Sequence, residues 1–173
     1  MILDRGYELA HHGHEHHWPD LANEAQMLNE LDRGLQVMRR RFGIRPVGYR
    51  PPGSKSCHYL LELLTEHGFL YNSCFKDAVH PYRHRLRDGR PGPIELPKHP
   101  SLDDLSYGTS HLRFPRPIFP SDHVLSIWQD EFRMIREWGG VYVLVMHPQV
   151  TGRPMGLAIR RDFFAFTRQF DDV

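Results

Sequence analysis

The sequence predicts an α/β protein in which helices cover a mostly parallel sheet. Two observations lead to this prediction. Short strand-like runs alternate with segments of helical periodicity through the first half of the chain, and this alternation is typical of parallel sheets covered by helices. Residues 141–146, VYVLVM, are apolar throughout, as expected for a parallel strand that is buried on both faces.

The first half of the chain begins with a short strand over residues 7–11. An amphipathic helix follows over residues 22–42, with Asp20 as its N-cap and Gly43 as its C-terminal stop, because apolar residues recur there at helical spacing. A brief strand at residues 47–50 then runs into two prolines and a glycine, which predict a rigid turn.

A second helix over residues 56–67 and a strand over residues 69–74 continue the alternation. Residues 75–121 interrupt it, because they are rich in Pro, Gly, Arg and His. We interpret them as a long elaborated loop region with one strand at residues 94–97. Such loops shape binding sites on rigid scaffolds.

The last part of the chain predicts a helix over residues 121–138, the buried strand at 141–146 and a further helix over residues 160–170. The strand ends directly before His147. Active sites of α/β folds lie at the carboxyl ends of their strands, so we expect polar side chains that follow the strands to share one rim. The whole chain, residues 1–173, is predicted to be a single domain.

Composition limits the partners and the compartment. The formal net charge of +1 gives no electrostatic reason to expect nucleic acid or a membrane surface as a partner. Cys57 and Cys74 form no CxxC pair, so we expect a reduced, cytoplasmic protein. No apolar run reaches the roughly 20 residues that span a bilayer.

Five of the 13 histidines fall within residues 11–17, in the run HHGHEHH. His12 and His16 have i, i+4 spacing, so on one helical turn their imidazoles would point the same way and share one metal ion, Zn²⁺ or another divalent cation. The alternative is a polar loop whose histidines only form hydrogen bonds. We predict surface or supporting roles for His11 and His17.

Three motifs, in their order along the chain, resemble those of the polysaccharide deacetylases, the family of carbohydrate esterase family 4 type. They are ELAHHGHEHH with its histidine pair, GYRPPGS with Arg50, and LVMHP with His147. The runs GFLYNSCFKD, LPKHPSLDD and HPQVTGRP resemble the branch of peptidoglycan-deacetylase-like, allantoinase-like and cyclic imidase proteins. The resemblance covers nearly the whole chain and implies an incomplete (β/α) barrel.

The resemblance implies a metal-dependent hydrolase of amide C–N bonds, with a small amide or an N-acetylated sugar as its substrate. His12 and His16 would bind the metal ion, and Arg50 would orient the general-base Asp through its planar guanidinium. His147 would protonate the leaving amine. A surface ion pair for Arg50 and a hydrogen-bonded core histidine for His147 are the competing interpretations.

Four further residues belong to the predicted substrate pocket. Pro51, Pro52 and Gly53 follow the arginine motif, and backbone N–H groups near Gly53 would stabilise charge on the carbonyl oxygen. Asp77 lies where some relatives place a carboxylate that tunes the acid histidine. The pair at residues 103–104 is not predicted to replace the catalytic carboxylates.

The resemblance also predicts what this chain lacks. In the family, an Asp-Asp motif upstream of the histidines supplies the general base and the third metal ligand, and a further strand and helix follow residues 160–170. Met1 lies only eleven residues before His12, so we interpret the chain as the middle of a barrel with both ends missing. We expect little or no deacetylase activity from it alone, doubtful metal occupancy, and open strand edges that favour a homo-oligomer.

Two rival interpretations belong to other functional classes. In the first, the chain is a non-catalytic protein that retains the deacetylase fold and binds a ligand or a partner. In the second, the chain is a fragment of a longer enzyme. Tight ligand binding without turnover would favour the first interpretation.

Overall fold

The computed structural model describes residues 2–19, 23–110 and 115–172. The chain forms two compact units. Unit 1 comprises Met1–Phe75 and Pro81–Pro97, and unit 2 comprises Lys76–His80 and Lys98–Val173. The expectation of a single domain over residues 1–173 stays a prediction.

Unit 1 contains a four-stranded sheet in the order β1-β2-β4-β3. Strands β1 (Gly48–Tyr49), β2 (Tyr71–Asn72) and β4 (Pro91–Glu95) are parallel to one another, and β3 (Tyr82–Arg85) is antiparallel to β4. The described strands form an open sheet, not a closed ring. The α/β class is thereby confirmed, and the open sheet agrees with part of a barrel.

Two predictions for the sheet need correction. A strand was predicted over residues 7–11, but of these residues only His11 pairs, through a parallel bridge to Tyr49. Most of the residues before His11 are exposed, so their side chains would bury little surface against a sheet. The predicted strand at 94–97 corresponds to β4, which ends earlier. Strand β3 inside the predicted loop region was not anticipated, because its sequence, YRHR, is strongly polar.

Helix α1 (Glu24–Phe42) covers the sheet of unit 1. Its N-cap is Asn23, whose side chain accepts the Gln26 N–H at 3.0 Å, and the predicted cap Asp20 lies outside the described residues. Gly43 ends the helix at φ 70°, as predicted. With α2 (Leu60–Glu66), α1 encloses a core of nine buried residues, Met27, Leu31, Tyr49, Cys57, Tyr59, Leu60, Leu63, Leu64 and Phe69.

Unit 2 is mainly helical. It contains the short helices α3 (Leu105–Gly108) and α5 (Pro148–Thr151) and the longer α4 (Ser121–Glu137) and α6 (Pro154–Thr167). Its buried core consists of Leu102, Val124, Trp128, Phe132, Ile135, Ile159, Phe163 and Phe166. Helix α6 begins six residues before the predicted start, because Pro154 occupies the first turn, where a missing N–H is tolerated.

The predicted buried strand at residues 141–146 is wrong in extent. Within the described residues of this run, Val145 alone pairs, through a parallel bridge to Asp103, and Val145 alone is buried. Val141 and Met146 are exposed, so the run is not covered on both faces. No helix in the described ranges is long and apolar enough to cross a membrane.

His11 gives unit 1 a pH-dependent stability. The side chain is only 1% exposed, and its Nδ1 accepts the Gly13 N–H at 3.1 Å. Burial lowers the pKa of His11 from its usual 6.5 to about 4. Because the unfolded chain binds the proton more readily, the stability from neutral His11 is complete above pH 6.5 and is lost as the pH falls towards 4.

We expect this one group to lower the free energy of unfolding by about 2 kcal/mol between about pH 7.5 and about pH 5. Urea unfolding at several pH values, with a chelator present, measures the slope. The variant His11→Asn keeps an acceptor for the Gly13 N–H and removes the titration, so its slope should be shallower. Equal slopes for the two proteins would contradict the assignment to His11.

Candidate functional site

The histidine loop, residues 12–17, follows the bridge at His11 and is not helical. Gly13 has φ 81° and His16 has φ 60°, so the chain reverses sharply between the two predicted ligands. The rings of His12 and His16 nevertheless lie 5.0 Å apart between centroids, with an interplanar angle of 75°. The helical turn predicted for the pair is therefore wrong, but a tight loop brings the imidazoles together.

A backbone contact fixes the tautomer of His12. Its Nδ1 lies 2.6 Å from the carbonyl oxygen of Arg50. Because a carbonyl oxygen can only accept, Nδ1 carries the proton and Nε2 carries the lone pair. A hydrogen bond of this kind is typical of metal-binding histidines, since it orients the ring and raises the basicity of the opposite nitrogen.

Arg50 links the carboxyl ends of three parallel strands. It follows β1, and its Nη2 and Nε donate to Ser73 Oγ at 2.8 Å and to the Ser73 carbonyl at 3.3 Å. The Ser73 hydroxyl, which follows β2, in turn donates to the carbonyl of Leu96 after β4 at 2.9 Å. The predicted arginine thus lies on the strand-end rim of unit 1, next to the histidine loop.

The predicted pocket residues after Arg50 form a compact turn. Pro51 and Pro52 are buried, and Gly53 has φ 63°. A Cβ atom on Gly53 would lie 2.8 Å from the Trp18 ring, so only glycine allows this approach without displacing the tryptophan. Lys55 Nζ lies 5.7 Å from the centroid of the same ring.

Glu30 is a residue of this site that sequence reasoning missed. It is 2% exposed on the inner face of α1, and its Oε2 accepts the N–H groups of His14 and Glu15, both at 2.9 Å. Burial raises the pKa of Glu30, but these bonds and His17 outweigh burial and hold it below its usual value. Glu30 lies three residues after Met27 and four before Gly34, and this helical spacing could have indicated that it shares their buried face.

In unit 2, His147 is bound to the carboxylate of Asp104. Its Nδ1 lies 2.7 Å from Asp104 Oδ1, and its backbone N–H donates to Asp104 Oδ2 at 2.8 Å. The Thr151 hydroxyl donates to the same Oδ2. Asp104 is 4% exposed, so a buried carboxylate fixes the orientation of the imidazole.

Sequence reasoning set Asp104 aside and named Asp77 as the carboxylate beside His147. Asp77 is exposed in the segment Lys76–His80, and its role stays a prediction. Asp103 lies 3.7 Å from His147 Nδ1, and its Oδ2 accepts from Lys98 Nζ at 3.0 Å. The bridge between Asp103 and Val145 explains why these carboxylates reach His147.

In unit 1, the histidine pair offers two imidazoles to a divalent cation, fewer than the three protein ligands of a typical catalytic zinc site. Two imidazoles, one of fixed tautomer, are suitable zinc ligands. Two other groups bring three donors within 4.8 Å, Glu15–His17–Glu30 and Asp103–Asp104–His147. In both of these groups the buried carboxylate already accepts several hydrogen bonds, so they fit a cation less well.

Unit 2 also encloses a cavity of about 600 Å³. Its wall is mainly apolar, and it includes Trp128, Ile159, Met155 and the exposed Arg153. Trp128 is 2% exposed, and its Nε1 has no hydrogen-bond partner among the described residues. Asp104, Gln149 and Arg153 also line the cavity, and a pocket that combines apolar surface with polar groups is typical of a small-molecule site.

Comparisons with known proteins point to one family. The family model for polysaccharide deacetylase matches residues 1–71. A peptidoglycan deacetylase of Helicobacter pylori is 26% identical over all of this chain and 68% of its own length. A peptidoglycan deacetylase-like protein, FGM2, of Gibberella zeae is 24% identical over 87% of this chain and 54% of its own length.

Solved structures agree with these relatives. The crystal structure of a proposed polysaccharide deacetylase from Mycobacterium smegmatis is 34% identical, with a TM-score of 0.89 over 99% of this chain and 60% of that one. An allantoinase structure, 20% identical with a TM-score of 0.83 over 98% of this chain and 56% of that one, shares the fold. Together these matches confirm the resemblance of the three motifs to the polysaccharide deacetylase family.

Proposed function

We propose that this protein is a metal-dependent hydrolase of amide C–N bonds, with the N-acetyl groups of peptidoglycan-type sugars as substrates. The observation that carries the proposal is the paired imidazoles of His12 and His16, together with the hydrogen bond from His12 Nδ1 to the Arg50 carbonyl. This arrangement prepares Nε2 of His12 as a metal ligand.

The proposed roles combine the contacts of each residue with the resemblance to the polysaccharide deacetylases. His12 and His16 would hold the ion, which supplies Lewis acidity for attack of water on an amide carbonyl. Arg50 supports the His12 side of the loop through its carbonyl and through Ser73. His147 would donate a proton from Nε2 to the leaving nitrogen, while the contact with Asp104 would keep a proton on Nδ1 and orient the ring.

The substrate class rests on the relatives. Both curated relatives carry peptidoglycan deacetylase in their names, which favours an N-acetylated amino sugar. The allantoinase likeness concerns the fold alone, so a cyclic amide is the second substrate class to test. In either case an amide C–N bond breaks, and the nitrogen leaves with a proton.

Acetate release from N-acetylated peptidoglycan fragments, with and without added Zn²⁺, tests the proposal. We expect acetate release that depends on zinc, because the bound ion would polarise the amide carbonyl. His147→Ala should lower this release at least about 100-fold, whereas His123→Ala, an exposed histidine of α4, should leave it unchanged. Release that is independent of zinc or of His147 would overturn the proposal.

The cavity of unit 2 favours a second candidate function, binding of a small ligand without turnover. Trp128 lines this pocket, and its buried Nε1–H has no hydrogen-bond partner among the described residues. A screen of small carboxylates and amides, followed through the indole N–H signal of Trp128, tests this function. Saturable shifts of that signal without acetate release would favour ligand binding over hydrolysis, and an unchanged signal would exclude it for the compounds screened.

A further inference from the structure

We propose that Glu30 is a positioning residue of the metal site, whose buried carboxylate gives the histidine loop the shape that pairs His12 with His16. The inference rests on the proposed function, in which these two histidines are metal ligands. Glu30 lies on α1, some fifteen residues further along the chain, so a helix outside the loop contributes to the loop geometry.

The two backbone bonds of Glu30 fall between the two ligands. His14 and Glu15, whose N–H groups Oε2 accepts at 2.9 Å each, are the central residues of the stretch from His12 to His16. Two consecutive N–H groups that converge on one oxygen require a tightly curved backbone. Without the carboxylate, both donors would lose their acceptor in a partly buried place, at a cost for each.

The loop is also confined from the side of its glycine. A Cβ atom on Gly13 would lie 3.1 Å from Pro52 Cγ and 3.3 Å from Glu30 Oε2. Gly13 has φ 81° and His16 has φ 60°, and a non-glycine residue persists in that region only when its surroundings hold it there. Glu30 and Pro52 confine the backbone of the loop on two sides at Gly13.

Glu30 acts through the loop and does not bind the ion itself. Oε2 already accepts two N–H groups, and Oε1 lies 3.2 Å from His17 Nδ1. The neighbouring Glu15 carboxylate pairs with Arg33 Nη1 at 3.1 Å. Both Glu30 oxygens and Oε1 of Glu15 are therefore engaged, which favours a positioning role for Glu30 over a second cation site.

Unit 1 contains a matched control for this chemistry. Glu95 is also fully buried, and its Oε1 likewise accepts two consecutive N–H groups, those of Cys74 and Phe75, at 2.6 and 2.8 Å. Its Oε2 contacts His84 Nε2 at 2.8 Å, as Glu30 contacts His17. The N–H groups that Glu95 accepts follow β2 and lie outside the histidine loop, so its replacement reports the cost of losing a buried carboxylate elsewhere in unit 1.

The test is a Zn²⁺ titration of the wild-type chain, Glu30→Gln, Glu30→Asp, Glu30→Met and the control Glu95→Gln, each checked for folding by circular dichroism. We expect Glu30→Met to raise the zinc Kd about 10- to 100-fold, as loss of a supporting group does. Glu30→Gln should stay within about 3-fold, because its amide oxygen can still accept both N–H groups. Glu95→Gln should leave the Kd unchanged.

A second readout follows the loop without metal. The amide proton signals of His14 and Glu15 should move upfield in Glu30→Met and remain near their wild-type positions in Glu30→Gln. If Glu30→Met does not fold, Glu30→Asp replaces it in the test. The aspartate keeps the charge, but its shorter side chain does not extend to the His14 and Glu15 N–H groups. We expect the same amide shifts and a zinc Kd about 10-fold higher.

The outcomes separate the two claims. A wild-type chain that binds zinc no more tightly than His12→Ala overturns the proposed metal site, and the positioning role with it. If the wild-type chain binds zinc through His12 but Glu30→Met and Glu30→Asp bind it equally well, the proposed function survives and the positioning role of Glu30 is wrong.

Discussion

Glu95→Met is expected to lower the free energy of unfolding by about 4 kcal/mol, because it leaves several buried donors without an acceptor. Glu95 is fully buried, and it accepts from Cys74 N–H, Phe75 N–H and Asn72 Nδ2. Its carboxylate also contacts His84. Methionine fills about the same space, but it provides no carboxylate to accept these backbone and amide N–H groups. A loss of this size is a large part of the stability of a typical domain.

Urea unfolding followed by circular dichroism measures the effect of Glu95→Met. Glu66→Met is the matched control, because Glu66 is an exposed glutamate at the end of α2, and its replacement should change the free energy of unfolding by less than about 0.5 kcal/mol. A loss below about 1 kcal/mol for Glu95→Met would show that the carboxylate does not organise the strand ends of unit 1.

His12→Ala and His16→Ala are each expected to weaken zinc binding at least about 100-fold, more than loss of a supporting group does. Both side chains are exposed, so the free energy of unfolding should change by less than about 0.5 kcal/mol. Isothermal titration with Zn²⁺, beside urea unfolding, measures both quantities. The exposed His123→Ala is the matched control and should bind zinc as the wild-type chain does.

A zinc affinity that is unchanged in either variant would contradict the account, since the ion would then be bound elsewhere. A large loss of stability in His12→Ala would instead support a structural role for its bond to the Arg50 carbonyl. The two measurements therefore distinguish a ligand from a loop residue that only forms hydrogen bonds.

The helices were the most predictable part of the fold. Helix α4 starts at the predicted Ser121 and α1 ends at the predicted Gly43, because apolar periodicity and helix-ending residues are local properties of the sequence. The strands were less predictable. Residues 141–146 have strong strand propensity, yet pairing depends on a neighbour, and within the described residues only Asp103 pairs with this run.

The candidate site was predictable in its residues and not in its geometry. The motifs selected His12, His16, Arg50 and His147, but the two loop histidines meet through residues of positive φ and not through a helical turn. Glu30 was not predicted as a site residue, because a single carboxylate in an amphipathic helix is usually a surface residue, whereas Glu30 is buried.

Buried carboxylates are the common feature of what was missed. Glu30, Glu95 and Asp104 each accept backbone N–H groups from segments far away in sequence. Hydropathy patterns treat such residues as solvent-exposed, and only the tertiary structure identifies their donors. A glutamate on the inner face of a helix is therefore worth examining as an organiser of a nearby loop.

The central claim, that the paired imidazoles form a metal site, is tested most directly by crystals grown with Zn²⁺ and measured at the zinc absorption edge. We predict an anomalous peak at about 2.0–2.1 Å from Nε2 of His12 and from a ring nitrogen of His16. A peak only at Asp103–Asp104–His147 or at Glu15–His17–Glu30, or no peak at the histidine pair, would contradict the account.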